Sequence, residues 1–224
     1  MELWTMKNLF NLDSGLMSFL SRITDLIILN LIFLLTCIPI ITIGPALTAL
    51  YSITLKMVKD EESYIFKNYF LAFKANFKIS FLSWLIIVAV SILAFVDYQI
   101  VLQFDSWQTP FLIIILMLCV LCSLVTLFLF PYIARFENTL KYSFKNAAFI
   151  AILSLPYTFL LSLINAAFIA LMVFIIPLQY TFLICFGFGF SALAFVQSFV
   201  FRKVFAKYEP KEEETVAEVE MEVQ

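Results

Sequence analysis

Cys119 and Cys122 form a C-x-x-C, a spacing that serves redox or metal chemistry when it follows a strand and opens a helix with a reactive thiolate. Here the surroundings read ILMLCVLCSLVTLFL. A thiol in hydrocarbon stays protonated and inert, so the pair is read as packing. Cys37 and Cys185 also fall inside apolar runs, which argues against a disulfide framework. The chain has no histidine, and so lacks the commonest general base and the commonest metal ligand. No nucleophile–base set stands out, and the chain is read as non-enzymatic, without a cofactor and without a nucleic-acid partner. No G-x-x-x-x-G-K-[ST] occurs, so it is not the nucleotide-hydrolysing part of a transporter.

Polar side chains within apolar runs are the remaining candidates, because hydrocarbon makes them costly. They are Asp25, Asn30, Asp97, Asn165 and Gln197, with Arg135 and Glu137 at a boundary. Asp25 follows Arg22 by about one helical turn, so a local pair satisfies it, and Asp97 lies near the outer surface. Asn30, Asn165 and Gln197 suit hydrogen bonds between helices; the competing reading for each is a substrate or proton path. Arg135 and Glu137 are two residues apart, do not share a helical face, and find partners elsewhere, Arg135 with phospholipid headgroups. A carbohydrate site would want aromatic platforms beside carboxylates. Asp105 with Trp107 is the only such neighbourhood, and an interfacial tryptophan explains it.

The elements that must position these residues follow from composition. With 63% hydrophobic and 13% charged residues among 224, the chain is too apolar for a soluble domain. It reads as an all-α, polytopic transmembrane bundle of five to six helices. Residues 1 to 21 are interfacial in character, with Asp13 or Ser14 as a helix cap, and no cleavable leader is expected. One helix over 23 to 55 would be about 50 Å long, beyond a hydrocarbon core of roughly 30 Å. Pro39 and the Gly44-Pro45 pair break it, giving helices over about 14–38 and 45–59. The second is only about 21 Å long and marginal as a span, with Lys56 and Lys59 snorkelling at its end.

Asp60, Glu61 and Glu62 then interrupt the apolar pattern, and Ser63 is a candidate cap. Phe66, Phe70, Phe73 and Phe77 form one stripe, and Lys67, Lys74 and Lys78 a second beside it. The spacing predicts an interfacial helix over 63–78, aromatic toward lipid and basic toward headgroups. Further spans are expected over 79–102, 110–134, 148–174 and 178–203, which makes 1–208 one helical domain. Basic residues number two in 1–22, five in 56–78, three in 135–145 and four from 202 onward, accounting for all 14. Six helices with both termini inside put every one in the cytoplasm, whereas five helices strand Lys7 and Arg22 outside. The tail over 209–224 holds seven of the 16 acidic residues and is expected to be disordered. Phe73-Lys74-Ala75-Asn76-Phe77 is echoed weakly by Phe144-Lys145-Asn146-Ala147-Ala148-Phe149, which suggests two hairpins of like orientation.

The stretch NLIFLLTCIPIITIGPALTALYSITLKMVKDEESYIFKNYFLAFKANFK, with DSGLMSFLSRITDL before it and FPYIARFENTLKYSFKNA after it, resembles the YesL-like family of uncharacterised bacterial integral membrane proteins. The likeness covers roughly residues 9 to 205. Phe33 departs from it, since relatives often carry tryptophan there. The resemblance implies a multi-pass protein of the cytoplasmic membrane of Gram-positive bacteria, often encoded near sugar importers and polysaccharide-degrading enzymes, with no catalytic residues to carry over. An accessory or regulatory role in carbohydrate uptake follows as an expectation, with the bilayer and sugar-importer or sensor components as partners. The Glu-Ala-Ala…Gly signature by which importer permeases dock their ATPases is absent from the loops. A small transporter or channel with its own pathway is the alternative, motivated by the helix break and the echo.

Overall fold

In a computed structural model, residues 15–59, 61, 64–103 and 108–208 are described. The caps at Asp13, Ser14 and Ser63, the Asp105 and Trp107 neighbourhood and the acidic tail lie outside them. The described residues contain helices and no strand. Helix α1 (Gly15–Cys37) leads through a 3-10 turn (Ile40–Thr42) into α2 (Ile43–Met57) and then α3 (Ile65–Val101). Helix α4 (Gln108–Arg135) is followed by α5 (Leu140–Leu153) and α6 (Leu155–Ala170), which runs on into a π-helical segment (Leu171–Ile175). Helix α7 (Leu178–Ile184), a second π segment (Cys185–Gly189) and α8 (Phe190–Phe205) form the last span. Six helical stretches among the described residues are long and apolar enough to cross a membrane, so the protein is a multi-pass helix bundle.

The short second helix is the hub. It packs on α1, α3, α4 and α8, and 61% of its spanning window is buried, against at most 28% for any other span. Its sequence explains this, since Gly44, Ala46, Thr48, Ala49 and Ser52 are small enough to let neighbouring backbones approach. A Cβ on Gly44 would stand 2.5 Å from the Ser80 carbonyl oxygen and 2.7 Å from Trp84 Cβ. Gly44 is thus a contact point inside the helix as much as part of its break. Leu29, Phe33, Leu50, Ile53 and Tyr69 fill one core between α1, α2 and α3. Phe128, Leu129, Leu161, Phe201 and Phe205 fill another between α4, α6 and α8. The outer faces are apolar as well: Leu93, Phe95, Leu116 and Met117 are all exposed, as lipid-facing residues should be.

Two boundaries and the placement of the echoed motifs differ from the expectation. The interfacial helix over 63–78 and the span over 79–102 are one continuous helix of 37 residues, roughly 55 Å long. No glycine or proline occurs between Ile65 and Val101, so nothing stops the helix where its basic residues give way to apolar ones. The aromatic stripe is divided accordingly: Phe66 is exposed, whereas Phe70 and Phe73 pack on the first core. The span over 148–174 starts instead at Leu140 and breaks at Ser154. Pro156 has no N–H to give Ile152, and Thr158 Oγ1 closes the break by donating to Ala151 O at 2.7 Å and Ser154 O at 3.1 Å. Finally, the two echoed motifs lie on unlike elements, one inside the unbroken α3 and one on the short α5.

Candidate functional site

The polar side chains of the bundle meet in a seam along α2. Tyr51 Oη donates to Gln197 Oε1 at 2.6 Å, and Gln197 Nε2 donates to Asn165 Oδ1 at 3.0 Å. Asn165 Nδ2 in turn donates to Leu161 O at 2.9 Å. The chain of bonds thereby ties α2, α8 and α6 together. One turn along, Ser198 Oγ donates to Thr54 Oγ1 at 2.8 Å, and on the other side of α2 the Thr48 and Ser80 hydroxyls share a bond of 2.8 Å. Each pair is buried, where the alternative is an unanswered hydroxyl in hydrocarbon.

Asn30 has a different task. Its Nδ2 donates to Cys185 O at 3.0 Å and Phe186 O at 2.7 Å, and its Oδ1 accepts from Ser191 N at 3.1 Å. A π segment offsets the backbone ladder by one residue and leaves polar groups in need of partners, and one fully buried amide supplies them from α1. Ser191 Oγ returns the contact by donating to Leu26 O at 2.7 Å.

The turn between α1 and α2 is answered from within the protein too. Thr42 Oγ1 donates to Thr36 O at 2.6 Å and Pro39 O at 2.7 Å, and Trp84 Nε1 donates to Ile40 O at 2.9 Å. Tyr69 Oη shares a bond of 2.7 Å with Thr36 Oγ1. Pro39 and Pro45 offer no N–H, which leaves two fewer donors to satisfy.

At the other end of α2, Lys56 and Lys59 meet Arg135 of α4 and Arg202 of α8 around a cavity of about 40 Å³, with Ser52 and Glu61 also in its lining. Arg202 Nη1 donates to Val58 O at 3.0 Å, which holds the guanidinium over the end of α2. Glu61 lies 4.0 Å from Lys59 Nζ.

The predicted site residues therefore separate. Asn165 and Gln197 come together, and Asn30 acts apart from them. Asp25 is half-buried on α1 and, like Arg22, is engaged. Arg135 lines the basic cavity, whereas Glu137 is exposed in the link to α5 and takes no part in it. Lys67, Lys74 and Lys78 are exposed on α3. Sequence reasoning missed Tyr51, Tyr69, Trp84 and the hydroxyl pairs. The signal was present in the density of Thr48, Tyr51, Ser52 and Thr54 on a short helix between two long apolar runs, which marks a helix enclosed by protein on all sides. Among the described residues Ser83 Oγ is the one buried side-chain polar atom without a hydrogen bond, and no group of three His, Cys, Asp or Glu side chains is placed to hold a metal.

The chain matches no curated protein and no solved structure. Part of α1, all of α2 and most of α3 do match a family model: residues 26–98, about a third of the chain and most of the stretch that carries the YesL-like resemblance, are similar to the family described as protein of unknown function, DUF624.

Proposed function

We propose that the protein is a non-enzymatic accessory or regulatory component of carbohydrate uptake or utilisation in a bacterial cytoplasmic membrane. It acts by touching a sugar-importer or sensor component rather than by carrying a substrate itself. The observation that favours contact over transport is that the buried amides are answered inside the bundle: Gln197 and Asn165 bond to each other in the seam, Asn165 also to its own helix at Leu161 O, and Asn30, apart from them, to the Cys185 and Phe186 carbonyls. A translocation path needs such groups turned toward a cavity. The exposed Lys67, Lys74 and Lys78 offer a basic face to a partner or to anionic headgroups. The carbohydrate association leans on the YesL-like resemblance.

Crosslinking in native membranes followed by affinity capture tests this reading. Importer or sensor subunits should be enriched, and the enrichment should fall when Lys67, Lys74 and Lys78 are changed to glutamate. Capture that returns neither class of protein sinks it. The second reading, a small transporter or channel, draws on the break at Pro39 to Pro45 and on the two π segments, since irregular helices often border membrane pathways. Substrate-dependent flux in proteoliposomes containing the protein alone would favour it.

A further inference from the structure

We propose that the acidic stretch over 209–224 docks on a lysine-bearing surface formed by α3 and α5, so that the chain covers part of its own basic face. Lys74 and Lys78 of α3 and Lys141 and Lys145 of α5 are all exposed. Among the described residues none of the four is paired with a carboxylate. Lysines on a surface helix are commonly answered by a glutamate one turn away. Here α3 carries no acidic residue from Ile65 to Val96, and α5 carries none at all. Asp60 and Glu62 precede α3 in sequence, whereas Lys74 and Lys78 stand about 14 and 20 Å beyond its first residue.

The acidic stretch starts close to this surface. Phe205 of α8 shares a core with Ala147 and Ile150 of α5, and Ile79 of α3 packs against the same core. Tyr132 joins the two ends: its ring centroid is 6.4 Å from that of Phe205, and its Oη accepts from Asn146 Nδ2 of α5 at 2.8 Å. Lys78 adjoins Ile79, Lys145 adjoins Asn146, and Tyr208, the last described residue, follows Phe205 by three. The 16 residues beyond it span at most ~55 Å when extended, and a relaxed coil of that length averages about 20–25 Å. Their seven carboxylates less Lys211 give −6, opposite in sign to the four lysines. Exposed ion pairs are individually weak, but a tether this short holds the stretch at millimolar effective concentration, where several weak pairs suffice. Lysines at this level ordinarily meet anionic headgroups, and the acidic stretch competes with them for the same charges. The contact stands apart from the accessory role.

The test uses the full chain in pure phosphatidylcholine nanodiscs at low salt, where no anionic lipid competes. Spin labels on Ala75→Cys and Ala217→Cys, in a cysteine-free background, report the distance from α3 to the acidic stretch. Ala75 is exposed between Lys74 and Lys78, and neither change removes a charge. A population with distances shorter than the coil average is expected. Changing Glu212, Glu213, Glu214, Glu218, Glu220 and Glu222 to glutamine should cut it about threefold or more, as the loss of several exposed ion pairs would. Those positions lie outside the helices, so a misfolded bundle cannot imitate the result. Lys74→Gln and Lys78→Gln combined with Lys141→Gln and Lys145→Gln should cut it likewise, and so should salt at about 1 M, where the screening length is ~3 Å. A distance distribution that the glutamine stretch leaves unchanged overturns the proposal. So does one that responds to Lys203→Gln with Lys207→Gln but not to the four lysines of α3 and α5, since the stretch then lies on the residues just before it.

Discussion

Gly44 and Gly187 make a matched pair for testing how tightly α2 and α3 are packed. The first has the Ser80 backbone within 2.5 Å of an added Cβ, and the second has nothing within 4 Å. Gly44→Ala must push two helices apart and should cost about 1–3 kcal/mol, read as a lower thermal midpoint in detergent. Gly187→Ala should leave the midpoint unchanged, and equal losses at the two positions would contradict the close approach. The polar seam is testable in the same currency. Tyr51→Phe and Gln197→Leu break the same bond, so a double-mutant cycle should return a coupling of about 1 kcal/mol by denaturant titration. Additive losses would mean that the two side chains act independently. Asn30→Leu is expected to cost more than either, because it leaves the Cys185 and Phe186 carbonyls and the Ser191 N–H short of a partner at once.

Among the elements, the turn between α1 and α2 was the most legible in the sequence, because proline and glycine act locally and Pro39, Gly44 and Pro45 act together. The continuity of α3 was not, since a basic amphipathic stretch reads as interface whether or not the helix beyond it is a separate one. Neither was the break at Ser154, where a single serine and Pro156 sit within an unbroken apolar run. Gln197 and Asn165 were visible as polar residues in apolar segments, but their partner Tyr51 looked like one more aromatic. The turn also carries a prediction about depth. Trp84 is tied to Ile40, and α3 continues for 17 residues to Val101, roughly 25 Å further. The tip, with Ile38, Ile40 and Ile41 all exposed, therefore stops well short of the end of α3. In a cysteine-free background, Ile40→Cys should resist an impermeant thiol reagent on intact cells while Leu102→Cys is labelled. Trp84→Phe, which removes the tie, should raise labelling at position 40.

For the molecule as a whole, the six spanning stretches and the segregation of Lys56, Lys59, Arg135 and Arg202 to one end make a single topological expectation. Cysteines replacing Tyr64 and Tyr208 should react only after permeabilisation, and an amino-terminal tag should share their side. Labelling of Tyr208→Cys on intact cells would rule out the inward carboxyl terminus. Tyr51 and Thr54 of α2 and Val58 just after it leave the ribosome early, yet their partners Gln197, Ser198 and Arg202 lie on α8, 144 to 146 residues later. Until α8 is made, α2 waits in the membrane with hydroxyls and a carbonyl unanswered. A chain cut short before Phe190 is held in that state for good, presenting to membrane proteases the polar face that a finished chain conceals.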